Sequence, residues 1–195
     1  MATSGPLRKG AVEVETVEVQ VSDQDKIAFL QADFYDSLRW LFVGAVAWEA
    51  AKTSARVEHQ AVLGMYTAAV QARALYEFFY GKPNRDDARA KHFVAKVWAP
   101  TALYTDYMAP QRPANKRMFH LVYGRDRHSG GSGHDGPDHL KNQIVRFATD
   151  LRALSRDFVG SLDPQLRPHG EAALTQAERE AEKAASAYGI TNPIV

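Results

Sequence analysis

The chain has 195 residues, with 24 Lys and Arg against 23 Asp and Glu and a net charge of +1, so affinity for nucleic acid or an anionic membrane would require a local patch. This length suits one domain with an arm or an extra helix, and 45% hydrophobic with 24% charged residues is the composition of a folded globular chain. The absence of cysteine excludes disulfides, zinc–thiolate and iron–sulfur sites and cysteine nucleophiles.

The first ten residues are polar and lack the apolar core of a secretory signal. The longest apolar run, Trp40 to Trp48, falls well short of the ~20 residues of a membrane helix. The chain therefore reads as soluble, cytoplasmic and without a membrane partner.

From Val12 to Val21 apolar and polar residues alternate with the period of a strand. With no second strand to pair with, this segment is expected to form an extended or disordered arm over residues 1–25. Beyond Asp33 the period becomes helical: Phe34, Leu38, Leu41, Ala45 and Trp48 follow at alternating spacings of four and three. A second helix is expected from Val57 to Tyr80, with Val62, Met65, Ala69, Ala72, Tyr76 and Phe79 on one face and Gly81 and Pro83 as terminators. Asn84 reads as the N-cap of a third helix reaching about Trp98, with Asp86 and Asp87 in its first turn. A proline-punctuated connection from Pro100 to Pro113 leads to a shorter helix from Ala114 to Tyr123, followed by a Gly/His-rich loop up to Gly136. The cleanest stripe is Leu140, Ile144, Phe147, Leu151, Leu154 and Phe158, on a helix that starts near Pro137. An Ala/Glu-rich helix from Glu171 to Tyr188, less apolar, is expected on the surface or against a partner. These elements predict an all-α helical bundle of five to six helices, with an arm (1–25), a bundle domain (26–163) and a C-terminal surface helix (164–195).

The cation excess is concentrated between residues 81 and 127, where ten basic side chains face four acidic ones and Tyr104, Tyr107, Phe119 and Tyr123 are interspersed. Such a segment either binds phosphates and stacks bases or is a solvated face that offsets acidic neighbours. Within it lie Arg85 and His92. On a helix the two would share a face, and together could cleave RNA without metal: histidine moves the 2′-hydroxyl proton and arginine stabilises the phosphorane. The competing reading is two surface residues on a basic helix, since seven residues rise about 10 Å and helical side chains lean toward the N-terminus.

His120 and Arg125 flank the terminator Gly124, which could fold Arg125 back toward the ring; alternatively His120 is a core histidine bonded to a backbone carbonyl. His128, His134, Asp135, Asp138 and His139 are ligand types suited to zinc, manganese or nickel. Their spacing meets no standard pattern, so no metal site and no cofactor is assigned. Arg73 and Glu77, four apart, form either an internal ion pair that orients His120 or Arg125, or a solvated helix pair.

The run Gln71, Ala72, Arg73, Ala74, Leu75, Tyr76, Glu77, Phe78, followed by Asp86, Asp87, Phe93 and Trp98 and then by His120, Leu121 and Arg125, resembles a bacterial all-helical family of unassigned function. That family pairs an Ala-Arg-x-Leu-x-Glu/Asp-Phe helix with a later His-Leu-x-x-x-Arg segment. The resemblance covers about the middle third of the chain and implies that Arg73, Glu77, His120 and Arg125 are a linked polar set, with no reaction attached. A second, weaker resemblance is to HEPN domains, helical bundles that often dimerise and in many members cleave RNA through an Arg-x(4–6)-His motif; Arg85 and His92, with Asp86 after the arginine, would carry that role. The sequence thus predicts a helical-bundle protein acting by association with itself or a partner, as a homodimer with the N-terminal arm or the Ala/Glu helix at the interface. The alternatives are a HEPN-like, metal-independent RNase, with RNA on segment 81–127, and a metal-dependent hydrolase on His128, His134 and His139.

Overall fold

Four long helical rods make up the fold in the computed structural model, which describes residues 21–53, 59–81, 88–94, 98–100 and 137–190, and of residues 52, 53 and 137–143 the backbone alone. The first rod joins α1 (Asp23–Phe29), a π-helical turn (Leu30–Phe34) and α2 (Tyr35–Thr53). Then come α3 (His59–Tyr80), α4 (Pro137–Ser161) and α5 (Arg167–Ala187). The described residues are all-α, and they contain no β-strand, only an isolated antiparallel bridge between Val94 and Leu162. Among them no helix is long and apolar enough to cross a membrane.

The first rod starts earlier than the hydrophobic stripe suggests. Ser22 is the N-cap, its hydroxyl accepting the Asp25 amide at 3.2 Å, while Asp23 and Asp25 place carboxylates at the positive end of the helix dipole. Helix therefore begins inside the segment expected to be arm; residues 1–20, with the Val12–Val19 part of the alternating run, lie outside the described residues. The π turn follows directly. Its i→i+5 bonding takes in one extra residue, so residues five apart share a face, and the rings of Phe29 and Phe34 both reach Phe78, at 5.4 and 5.9 Å.

α2 is the central rod and packs against α3, α5 and α4. Phe34, Leu38, Leu41, Ala45 and Trp48 are all buried, as their spacing requires. α3 runs antiparallel beside α2, and the two cross where both are small: a Cβ on Gly44 would overlap the Gly64 carbonyl and come within 3.0 Å of the Ala68 methyl. On α4, Ile144, Phe147, Leu151, Leu154 and Phe158 are buried. Phe158 is the hub of an aromatic cluster, with Phe34, Phe78, Phe79 and Trp98 between 5.3 and 5.6 Å away.

Two expectations are corrected. The third expected helix does not run through to Trp98: Arg89 is extended (φ −132°, ψ 144°), Ala90–His92 is a single 3₁₀ turn, and Val94 bridges to Leu162. Tertiary contacts override the helical pattern there. Phe93 and Trp98, five apart, both turn their rings to Phe158, at 6.3 and 5.5 Å, and the Phe93 carbonyl accepts the Asp163 amide at 3.0 Å. The C-terminal helix is also no mere surface element. Ala173, Leu174, Ala177, Ala181 and Ala185 are buried in the common core, where the alanine stripe lets α5 lie close to α2. Its first turn includes Pro168, tolerated there because the first amides of a helix lack intrahelical partners. Gly170 follows, where a Cβ would come within 2.5 Å of Leu162. Glu178 ties α5 to α4 by accepting Arg152 at 2.7 Å and Arg156 at 2.9 Å. The chain leaves α5 through Gly189, at φ 69°, with the Ile190 amide reaching back to the Ala185 carbonyl.

The helix expected over residues 114–123 lies outside the described residues.

Candidate functional site

A cleft of about 330 Å³ opens where the π turn, the start of α2, the end of α3 and the extended residues Ala88 and Arg89 meet. Its apolar walls are Phe29, Phe34, Leu75 and Phe78; its polar groups come from Asp33, Ser37, Glu77 and Arg89. The π turn supplies Asp33, and Ser37 stands one helical turn further on. Ala74 and Glu77 face them from antiparallel α3.

Arg89 is buried, and its position follows from the end of α3. The last carbonyls of a helix have no intrahelical partner and carry its negative dipole. Arg89 donates Nη1–H to the Glu77 carbonyl, which also accepts the Gly81 amide at 2.8 Å. Gly81 leaves room for this: a Cβ there would overlap both the guanidinium and that carbonyl. The Arg89 amide in turn donates to Nδ1 of His92 at 3.3 Å, and the His92 amide returns to the Arg89 carbonyl at 2.9 Å.

Of the residues singled out from the sequence, Arg73 and Glu77 are brought together, Nε to Oε1 at 3.1 Å, both open to solvent. A solvent-exposed pair of this kind contributes about 0.3–0.5 kcal/mol; His120 and Arg125, which the other reading would have it orient, lie outside the described residues. His92 sits on the 3₁₀ turn, its Nδ1 engaged as an acceptor and the imidazole thus held with its proton on Nε2. Arg85, His120, Arg125, His128 and His134 lie outside the described residues, as does the side chain of His139. Among the described residues no group of three or more His, Asp or Glu side chains is placed to hold a metal ion.

The cleft residues Asp33, Ser37 and Arg89 carry no motif. The Ser22-x-x-Asp25 capping pattern marks the true start of the helix, but nothing in the run Leu30–Phe34 announces a π turn.

The second surface feature lies on the outer side of α3. Leu63, Tyr66 and Val70, spaced by three and four, are 66, 45 and 50% exposed. The α2–α3 register, fixed by Phe34 beside Phe78 and by Gly44 beside Ala68, puts Trp40 of α2, itself 41% exposed, level with Val70. Arg39 covers one face of the Trp40 ring at 4.7 Å. Asp36 pairs with Arg39 at 3.9 Å, and Arg39 also acts on Glu180 of α5, while Arg73 pairs with Glu77 further along α3 at 3.1 Å.

Comparison with protein-family models, with curated proteins and with solved structures gives no match.

Proposed function

We propose that this is a cytoplasmic protein that acts by association, forming a homodimer through the outer face of α3. The observation that carries the reading is the exposed line Leu63, Tyr66 and Val70. Exposed large apolar side chains scattered singly are ordinary, whereas a contiguous line on one helix marks an interaction surface. A second copy fits better than a strongly charged partner, because the line itself carries no charge and a two-fold interface sets the same apolar patch against itself. The alternatives, a metal-independent RNase on Arg85 and His92 and a metal-dependent hydrolase on His128, His134 and His139, rest on residues of which His92 alone has a described side chain.

Light scattering coupled to size-exclusion chromatography tests the reading. The expected mass is twice the 21.6 kDa of the chain, reduced to one chain by the double substitution Leu63→Glu and Val70→Glu with helicity unchanged. A wild-type monomer at micromolar concentration removes the reading, and a dimer indifferent to the double substitution moves the interface elsewhere.

A further inference from the structure

We infer that α3 pairs with α3 of a second copy antiparallel, as a two-stranded heptad packing in which Tyr66 meets the partner's Val70, Leu63 the partner's Arg73 and His59 the partner's Glu77. The inference rests on the homodimer reading and adds to it the orientation and register of the partner. The exposed line is the middle of a longer one: His59, Leu63, Tyr66, Val70, Arg73 and Glu77 follow at spacings of four, three, four, three and four, the a/d repeat of a coiled coil. His59 is exposed like the apolar three, and Arg73 and Glu77 keep 37 and 50% of their side-chain surface open. The opposite side of the same helix, Met65, Ala68, Ala72 and Leu75, is buried in the bundle. α3 therefore carries two stripes, one spent on its own fold and one left on the surface.

The polar ends of this stripe select the orientation. In a parallel pair each position meets its own copy, which sets Arg73 against Arg73 and Glu77 against Glu77, and like charges so placed oppose association. In an antiparallel pair the six positions match in layers that each occur twice about the two-fold axis. Tyr66 and Val70 fill the centre. Next to them the aliphatic stem of Arg73 covers the partner's Leu63, while its guanidinium keeps its own Glu77 at 3.1 Å. At the rim Glu77 meets an imidazole instead of a second carboxylate. Sliding one copy by a heptad would carry Arg73 and Glu77 past the start of the partner's α3 at His59, so the register that uses all six positions is the one assigned.

The chain has no cysteine, so thiols introduced one at a time report the pairing directly. Leu63→Cys with Arg73→Cys, and His59→Cys with Glu77→Cys, are co-expressed as full-length chains, and each variant is also made alone. All are treated with a short bismaleimide and read on a denaturing gel, beside circular dichroism and light scattering of the untreated variants and of the wild type. The outer pair leaves Leu63, Tyr66 and Val70 in place should an inner substitution weaken the dimer. The expected result is a linked dimer band in both mixed pairs. Each variant alone should give a band at least about tenfold weaker, because identical positions then lie ten or more residues, at least about 15 Å, apart along the helices. Equal linking of the single variants means a parallel pair and overturns the inference while the homodimer stands. A dimeric wild type with no link in either mixed pair overturns the register, and a monomeric wild type removes the homodimer reading and this inference with it.

Discussion

Removing one residue from the middle of a helix ordinarily rotates everything on one side of it by about 100°, and in this chain the outcome should depend on where the residue is removed. Deleting Ala32, which is exposed and lies within the π turn, converts the turn to α-helix. Phe29 and Phe34 then stand four apart instead of five and still share a face, so both keep Phe78 and the flanking registers survive. The expected change in unfolding free energy is within about 1 kcal/mol, because only a geometrically poorer turn is exchanged for a regular one. Deleting Val43 from α2 has no such compensation. It turns Leu30, Phe34, Leu38, Leu41 and Phe42, all buried, away from the core. At about 1.5–3 kcal/mol for each buried side chain, the loss is of the order of the whole stability of a domain, about 5–15 kcal/mol. Circular dichroism with urea titration measures both. The Ala32 deletion should melt cooperatively near the wild-type midpoint, and the Val43 deletion should be unfolded in buffer. Equal damage from the two deletions would refute the account of the π turn as a single inserted residue.

Three further outcomes are expected. Phe158→Ala should cost about 3–5 kcal/mol in urea unfolding, the range for a buried phenylalanine, since its ring meets Phe34, Phe78, Phe79, Phe93 and Trp98; a loss under about 1 kcal/mol would mean the cluster is not packed. Asp150 is pushed above the usual aspartate range by burial, against a smaller opposing effect of Arg146, and its Oδ2 is buried without a hydrogen-bond partner. The folded chain therefore holds this proton more tightly than the unfolded one, and the contribution of Asp150 to stability falls as pH rises from the ordinary aspartate value through the raised one. Asp150→Asn should match the wild type near pH 3 and exceed it near pH 7; the reverse order in urea melts would contradict that sign. On the association reading, mixed RNA incubated with the protein in excess EDTA should stay intact, and cleavage lost in His92→Ala would revive the RNase reading.

Much of the fold is legible because large apolar side chains recur at helical spacing. The stripes of α2 and α4 are buried residue for residue, apart from Leu140, whose side chain is not described. α5 is less legible because alanine carries little hydrophobicity per residue. Its stripe, Ala173, Ala177, Ala181 and Ala185, matters through closeness of approach to α2 rather than through the area it buries. The segment Ala88–Val94 misleads for another reason. Its periodicity is compatible with a helix, but Arg89 satisfies the end of α3 and Phe93 joins the Phe158 cluster, and these contacts outweigh one short helix of modest propensity.

The cleft shows why a site can be absent from a sequence whose fold is readable. Asp33 and Glu77 are 44 positions apart, and what places them on one opening is the antiparallel register of α2 and α3. The small residues Gly44, Gly64 and Ala68 set that register, and none of them is near the cleft. The π turn adds an offset that no periodicity reveals, since Phe29 and Phe34 at a spacing of five read as opposite-facing residues until both are found on Phe78. Arg89 reads as one more cation of a basic segment, whereas its guanidinium is buried against the last carbonyls of α3.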